Sequence, residues 1–206
     1  MKSIKPAVPF IPYAAVVLGM FWLQNAWAAV LAFHASMAII LLIEKPSIPV
    51  FTLIRSNSLA MLVGLIILCG FSGVILYLVW PVLGAPKDLS VKLAALGLSS
   101  TSWPLFIGYF VLINPWLEEY FWRGYLGSLA KGLAQIDFIF AGYHLLVIYD
   151  KISWGWLLPA FAALIFGGWL WRQVTRDSQG LLVSSLSHMA ADFSILTAVY
   201  LITMKG

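Results

Sequence analysis

The sequence predicts an all-α fold, a polytopic membrane helix bundle of about seven transmembrane helices, and three observations carry that expectation. Hydrophobic residues make up 62% of the chain and charged residues only 10%, whereas soluble domains run near ~45–50% and ~25%. Mean hydropathy is +0.96. Apolar stretches of ~20 residues, long enough to cross a bilayer, recur from end to end. No part between them is long or polar enough for a soluble domain, so residues 1–206 read as a single integral-membrane domain. The formal charge of +4 rests on few groups. It sets topology rather than nucleic-acid binding, so the expected surroundings are membrane lipid and no nucleic acid.

Each element follows from the order of residues. Lys2, Lys5, the apolar stretch and Ala26-x-Ala28 look like a secretory signal. The apolar sequence runs on through Ile43, however, and a retained first span is expected. Pro6 to Ile43 holds no Asp, Glu, Lys or Arg and is too long for one span. The polar pair Gln24-Asn25 divides it into two helices joined by a tight turn, and Glu44, Lys45 and Pro46 end the second. Residues 47–58 read as interfacial, and Ser58 to Leu83 as a third span containing the single cysteine, Cys69, as a small core residue. Residues 84–102 form a loop with a short amphipathic helix. A fourth span runs from Trp103 to about Ala130, with Pro115 as a kink. A shorter fifth covers 136–149, a sixth 154–172 and a seventh 180–204.

With the N-terminus cytoplasmic, Lys2, Lys5, Lys45, Arg55, Lys131, Arg172 and Arg176 fall inside, against Lys87, Lys92, Lys151 and Lys205 outside. That is the direction expected of a multi-pass protein of a cytoplasmic (inner) membrane. Trp80, Trp103, Trp154 and Trp171 fall near span ends, as an aromatic belt would place them. The stretch WGWLLPAFAALIFGGWLW reads as a lipid-facing span in which Gly167 and Gly168 permit close helix contact.

The ionisable residues at membrane depth are Glu118, Glu119, Arg123, His144, His188, Asp192 and His34. Such groups are costly in hydrocarbon and mark sites or pathways. Glu119 and Arg123, four apart, share a helix face and can pair. Glu118 is rotated by ~100° from Glu119, which leaves it the freer carboxylate and the better general base. Phe140 lies one turn before His144, and His188 and Asp192 share a face. Three helices thus offer a base, two imidazoles and one further polar group to a common cavity. His34 belongs to no motif and reads as structural or interfacial.

Glu118-Glu119-x-x-x-Arg123, Phe140-x-x-x-His144 and His188-x-x-x-Asp192, in this order on successive apolar segments, resemble the CPBP family. Its members are the CAAX proteases and bacteriocin-processing enzymes, relatives of the type II CAAX prenyl endopeptidase. Trp122-Arg123-Gly124 fits the aromatic, Arg, Gly that follows the first motif there. Each motif alone is weak; three in order, each inside a span, are specific. The resemblance covers Glu118 to Asp192, within a protease-like core of about 103–204.

The resemblance implies an intramembrane glutamic-type endopeptidase that cleaves a membrane-anchored peptide or protein. Glu118 would activate water, His144 would orient it, and His188 with residue 192 would stabilise the oxyanion. Glu119, Arg123 and Phe140 would support the geometry, and no cofactor is expected. Many members carry asparagine where this chain has Asp192, and an ionised aspartate cannot donate a hydrogen bond. Asp192 would therefore be protonated, or orient His188 as the donor (the preferred reading), or bind metal. Zinc would take Glu118, His144 and His188, though the chain has no HExxH.

Two other functions fit the same residues: a non-catalytic scaffold or bacteriocin self-immunity protein of the same fold, and a proton-coupled transporter. Against the first, the polar set is complete. Against the second, the polar residues cluster in one half and no inverted pair of broken helices is visible. The substrate stays open among a prenylated CaaX tail, an exported leader and the C-terminal anchor of a sorted protein.

Overall fold

A computed structural model of the chain describes residues 6–204 and is helical, with no strand among them. Lys2, Lys5 and Lys205 of the topology argument lie outside the described residues. We number the helices α1 Val8–Trp22, α2 Ala26–Glu44, α3 Leu59–Val82, α4 Leu89–Ala95, α5 Trp103–Tyr125, α6 Gln135–Ile148, α7 Trp154–Ser178 and α8 Leu182–Met204.

Four of these, α2, α3, α7 and α8, are long and apolar enough to cross a membrane; α1 and α6 are shorter apolar helices. In α5 the polar residues of its last third dilute an otherwise apolar helix. The chain is therefore a multi-pass membrane protein. Its apolar residues also face outward, as a lipid solvent requires: only 6% of the apolar window of α7 is buried, and Leu158 and Phe166 stand exposed on it.

The local devices are those the residues dictate. Gln24 takes a left-handed turn at φ 50°. The Asn25 side chain then caps α2 by accepting from the Ala28 N–H at 2.9 Å, which satisfies a donor left over at the helix start. Ser58 caps α3 in the same way through Met61 N–H. α4 buries Leu89 and Leu93 against α2 and α5 and leaves Val91 to the outside.

α8 is the central helix, packed by α3, α5 and α7. Its closest approach is to α3, where a side-chain carbon on Gly73 would land on the Ser194 carbonyl. The Gly73 N–H donates to Ser194 Oγ at 3.0 Å. Gly73→Val forces the two backbones apart and should cost about 3 kcal/mol by overpacking. The result to look for is a lower thermal midpoint in detergent, and an unchanged midpoint would contradict the packing.

Several expectations need correction. α5 ends at Tyr125, not near Ala130, and its last seven residues, Glu119–Tyr125, form a π-helix. α7 continues past residue 172 to Ser178, because Arg172 is only 3% exposed and paired with Asp137. Arg172 is thus a core residue and drops out of the count of loop charges. Trp103 and Trp171 are buried rather than interfacial, whereas Trp154 is exposed. Of the adjacent glycines Gly167 and Gly168, Gly168 meets Phe140 and Asp137 of α6, while Gly167 touches only its own helix.

Candidate active site

The polar residues of α5 occupy its last turns before the chain leaves the bundle. Asn114, Glu118 and Glu119 are at most 2% exposed and Arg123 is 6% exposed. Pro115 has no N–H to give the helix, and four residues on the hydrogen bonding shifts to the wider i→i+5 pattern, as Leu126 N–H to Phe121 C=O shows. π-segments of this kind occur often at functional sites. The chain then folds back so tightly that any side chain at Gly127 would strike the Arg123 carbonyl.

Glu119 and Arg123 pair as their spacing predicts, Oε1 to Nη1 at 3.3 Å. The guanidinium lies 3.9 Å above the Phe140 ring and 5.3 Å from the Trp171 ring, a cation–π cradle that accepts a buried cation. Phe140 thereby acquires a definite job: it is the floor under Arg123.

α8 brings His188 and Asp192 against this pair. The His188 ring stacks on Trp171 at 4.1 Å. Its Nδ1 is 2.9 Å from Glu119 Oε1; Nε2 is 3.5 Å from Asp192 Oδ1 and 3.7 Å from Glu118 Oε2. Glu119, rather than Asp192, is therefore the closest partner of His188. A carboxylate only accepts, so Nδ1 carries a hydrogen toward Glu119. Nε2 is left facing the gap between Glu118 and Asp192.

α6 supplies the third group in an unexpected way. His144 makes no direct hydrogen bond to Glu118. Its Nδ1–H donates to the Phe140 carbonyl at 3.0 Å, and its Nε2 is 3.1 Å from the Tyr143 hydroxyl. That hydroxyl in turn bonds Glu118 Oε1. Its one hydrogen goes to Glu118, so Tyr143 joins the base candidate to the histidine when His144 Nε2 also carries a hydrogen and donates to the tyrosine oxygen. The other Glu118 oxygen, Oε2, is buried with no hydrogen-bond partner.

Three further residues complete the cluster. Asn114 Nδ2 is 3.1 Å from Asp192 Oδ2. Its Oδ1 is 3.0 Å from His34 Nε2, and Tyr109 Oη is 3.0 Å from His34 Nδ1. His34 is 4% exposed and so buried, not interfacial. All the motif residues therefore meet at one place, with His144 a hydroxyl away. By the 1.5 Å rise per residue, His188 and Asp192 lie about 9 and 15 Å into α8 from the end where Arg55 meets Leu182.

Zinc would need Glu118, His144 and His188 to converge on one point. The two His144 nitrogens are turned to Phe140 and Tyr143. No group of three or more His, Cys, Asp or Glu side chains among the described residues is arranged to hold a metal.

Residues 100–194 match the family model of the type II CAAX prenyl endopeptidase, Rce1-like. This stretch is a CAAX-protease-family domain. The match takes in every motif residue from Glu118 to Asp192, together with Asn114, Tyr143 and Trp171. It implies a protease in a lipid environment acting on a protein substrate. His34 and the helices α1 to α4 lie outside the matched stretch. No curated protein and no solved structure matches the chain.

Proposed function

We propose that the chain is an intramembrane endopeptidase of glutamic type, with Glu118 as the general base. One observation carries the reading: Glu118 Oε2 is buried and unpartnered, 3.7 Å from His188 Nε2. Buried carboxylate oxygens are rarely left without a donor, and this gap suits a water that donates to Glu118 and faces a substrate carbonyl. Glu118 takes the water proton as its oxygen attacks the carbonyl carbon. His188 Nε2–H donates to the oxyanion that forms. The C–N bond then breaks, and the proton held by Glu118 passes to the leaving amine.

The neighbours divide the remaining work. Glu119 fixes the His188 ring through Nδ1, and Arg123 offsets the Glu119 charge. His144 acts on Glu118 through the Tyr143 hydroxyl rather than by holding the water itself. Asp192 orients His188 from the other side. The reading assigns no step to a metal or other cofactor.

In this reading α1, α2, α3, α5, α6, α7 and α8 all enter an inner membrane, the seven spans expected from sequence, with the N-terminus cytoplasmic. α6 reaches only about 21 Å along its axis against a hydrocarbon thickness of about 30 Å. The site then lies toward the end bearing Lys45, Arg55, Lys131 and Arg176. The substrate is a membrane-anchored peptide or protein processed near its C-terminal anchor.

The test uses the purified chain in detergent with two fluorogenic peptides, one carrying a farnesylated cysteine and one a hydrophobic anchor. Each runs with and without a strong zinc chelator. Cleavage indifferent to chelator is the expected result. Cleavage lost on chelation would transfer the chemistry to a metal, and no cleavage of either peptide would favour a non-catalytic scaffold or immunity protein.

Tyr143→Phe removes one hydroxyl and keeps the ring, which stacks on His144 and Trp122. A hydrogen bond to a charged group contributes about 1.5–3 kcal/mol, so cleavage should fall by about 10- to 100-fold without loss of folded protein. Wild-type rates in this variant would detach His144 from the mechanism.

A further inference from the structure

Aspartate at position 192 leaves His188 as the single side-chain donor assigned to the oxyanion, and the geometry around Asp192 supplies another. Asn114 approaches Asp192 from α5, with Nδ2 3.1 Å from Oδ2. An ionised carboxylate only accepts, so the amide must present nitrogen to it and oxygen to His34. The Asn114 oxygen accepts in turn, so His34 Nε2 carries the hydrogen of their 3.0 Å contact. His34 Nδ1 is then bare and accepts from the Tyr109 hydroxyl at 3.0 Å. One chain of three hydrogen bonds, crossing α5, α2 and α8, thus fixes which way the amide faces.

The amide nitrogen has two hydrogens, and Asp192 uses one. Among the described residues the second has no partner, although Asn114 is only 2% exposed. Asn114 also lies four residues before Glu118 on the same face of α5, displaced by about 6 Å along the helix. A carbonyl carbon attacked by water at Glu118 would therefore present its oxygen to the neighbourhood of His188 Nε2 and Asn114 Nδ2.

We infer that Asn114 is a second oxyanion donor and that His34 is the positioning residue that holds its amide in the donating orientation. The inference rests on the protease reading above and deepens it. It brings α2 into the site. It also gives Asp192 a second role, as the anchor for one amide hydrogen while the other serves the substrate. A neutral amide suits that place, since it meets a developing anion without placing another charge beside Asp192.

The experiment compares wild type, Glu118→Gln, Asn114→Leu, His34→Leu and His34→Gln on the fluorogenic peptide that the wild type cleaves. Asn114→Leu keeps the volume and removes the amide. We expect its kcat to fall by about 10²–10³-fold, the usual effect of deleting one oxyanion donor, with KM within about twofold because ground-state binding is untouched. His34→Leu, which leaves Asn114 in place but frees its amide to turn, should lower kcat by about tenfold at constant KM. His34→Gln, whose amide N–H can donate to Asn114 Oδ1, should recover most of that loss. The His34 pair answers the question even if Asn114→Leu does not fold.

A wild-type kcat in Asn114→Leu or in His34→Leu would overturn the inference while loss of cleavage in Glu118→Gln upheld the protease reading. A loss appearing in KM instead of kcat would equally overturn it. A wild type that cleaves neither peptide would overturn both together.

Discussion

Glutamine at position 118 should abolish cleavage and leave the bundle folded. The side chain of Glu118→Gln has the same length, and its amide oxygen still accepts from the Tyr143 hydroxyl. What it cannot do is take a proton from water. General-base catalysis contributes about 10²–10⁴-fold, so turnover should drop by that factor or to background, with the thermal midpoint in detergent near that of the wild type. Glu118→Asp draws the carboxylate back from both Tyr143 and the His188 gap and should retain a small fraction of activity. Glu119→Gln gives the contrast: it weakens the hold on His188 and leaves Arg123 with no carboxylate partner, so it should cost stability as well as rate. Full activity in Glu118→Gln with none in Glu119→Gln would mean that the roles of the two glutamates had been exchanged.

Much of this was legible in the sequence because local rules decide it. Gln24-Asn25 was readable as a turn, since a polar pair in a long apolar run offers both the left-handed residue and the cap. The Glu119–Arg123 pair follows from four-residue spacing, and that spacing tolerates the π-helix that actually carries it. Spacing put one polar stripe on each of three helices and so pointed to a common cavity, and the resemblance added the expected role of each residue. The hidden parts are contacts between helices. Tyr143 sits ~100° around α6 from His144 on an ideal wheel, so a face argument discards it, yet its long side chain reaches Glu118 on another helix. Asn114 and His34 lack any shared motif, and only the crossing of α2 and α5 joins them. Trp171 falls near a span end expected from sequence and reads as a belt residue; because α7 runs on to Ser178, it instead lies beneath His188.

The pair Arg172–Asp137 escaped for the same reason and carries the second large effect. Arg172→Ala should destabilise the chain by about 3–5 kcal/mol, the usual result of removing one partner from a buried ion pair. Arg172 holds Asp137 with two parallel bonds, Nε to Oδ1 at 2.8 Å and Nη2 to Oδ2 at 2.7 Å. Its guanidinium also donates to the carbonyls of Ser128, Ala130 and Gly132. These are the residues by which the chain leaves the π-helix of α5 and enters α6, whose start Asp137 ties down through the Ala134 N–H. Alanine would strand the buried Asp137 carboxylate and take the guanidinium away from three loop carbonyls. Lysine should rescue little, because a single ammonium cannot reproduce the planar fork. Since the same loop fixes the ends of the two helices that bear Glu118 and His144, activity should fall below what the loss of folded protein explains. Thermal unfolding in detergent beside the peptide assay measures both. An Arg172→Ala chain with wild-type stability would show that α5 and α6 are held in place by their apolar packing alone.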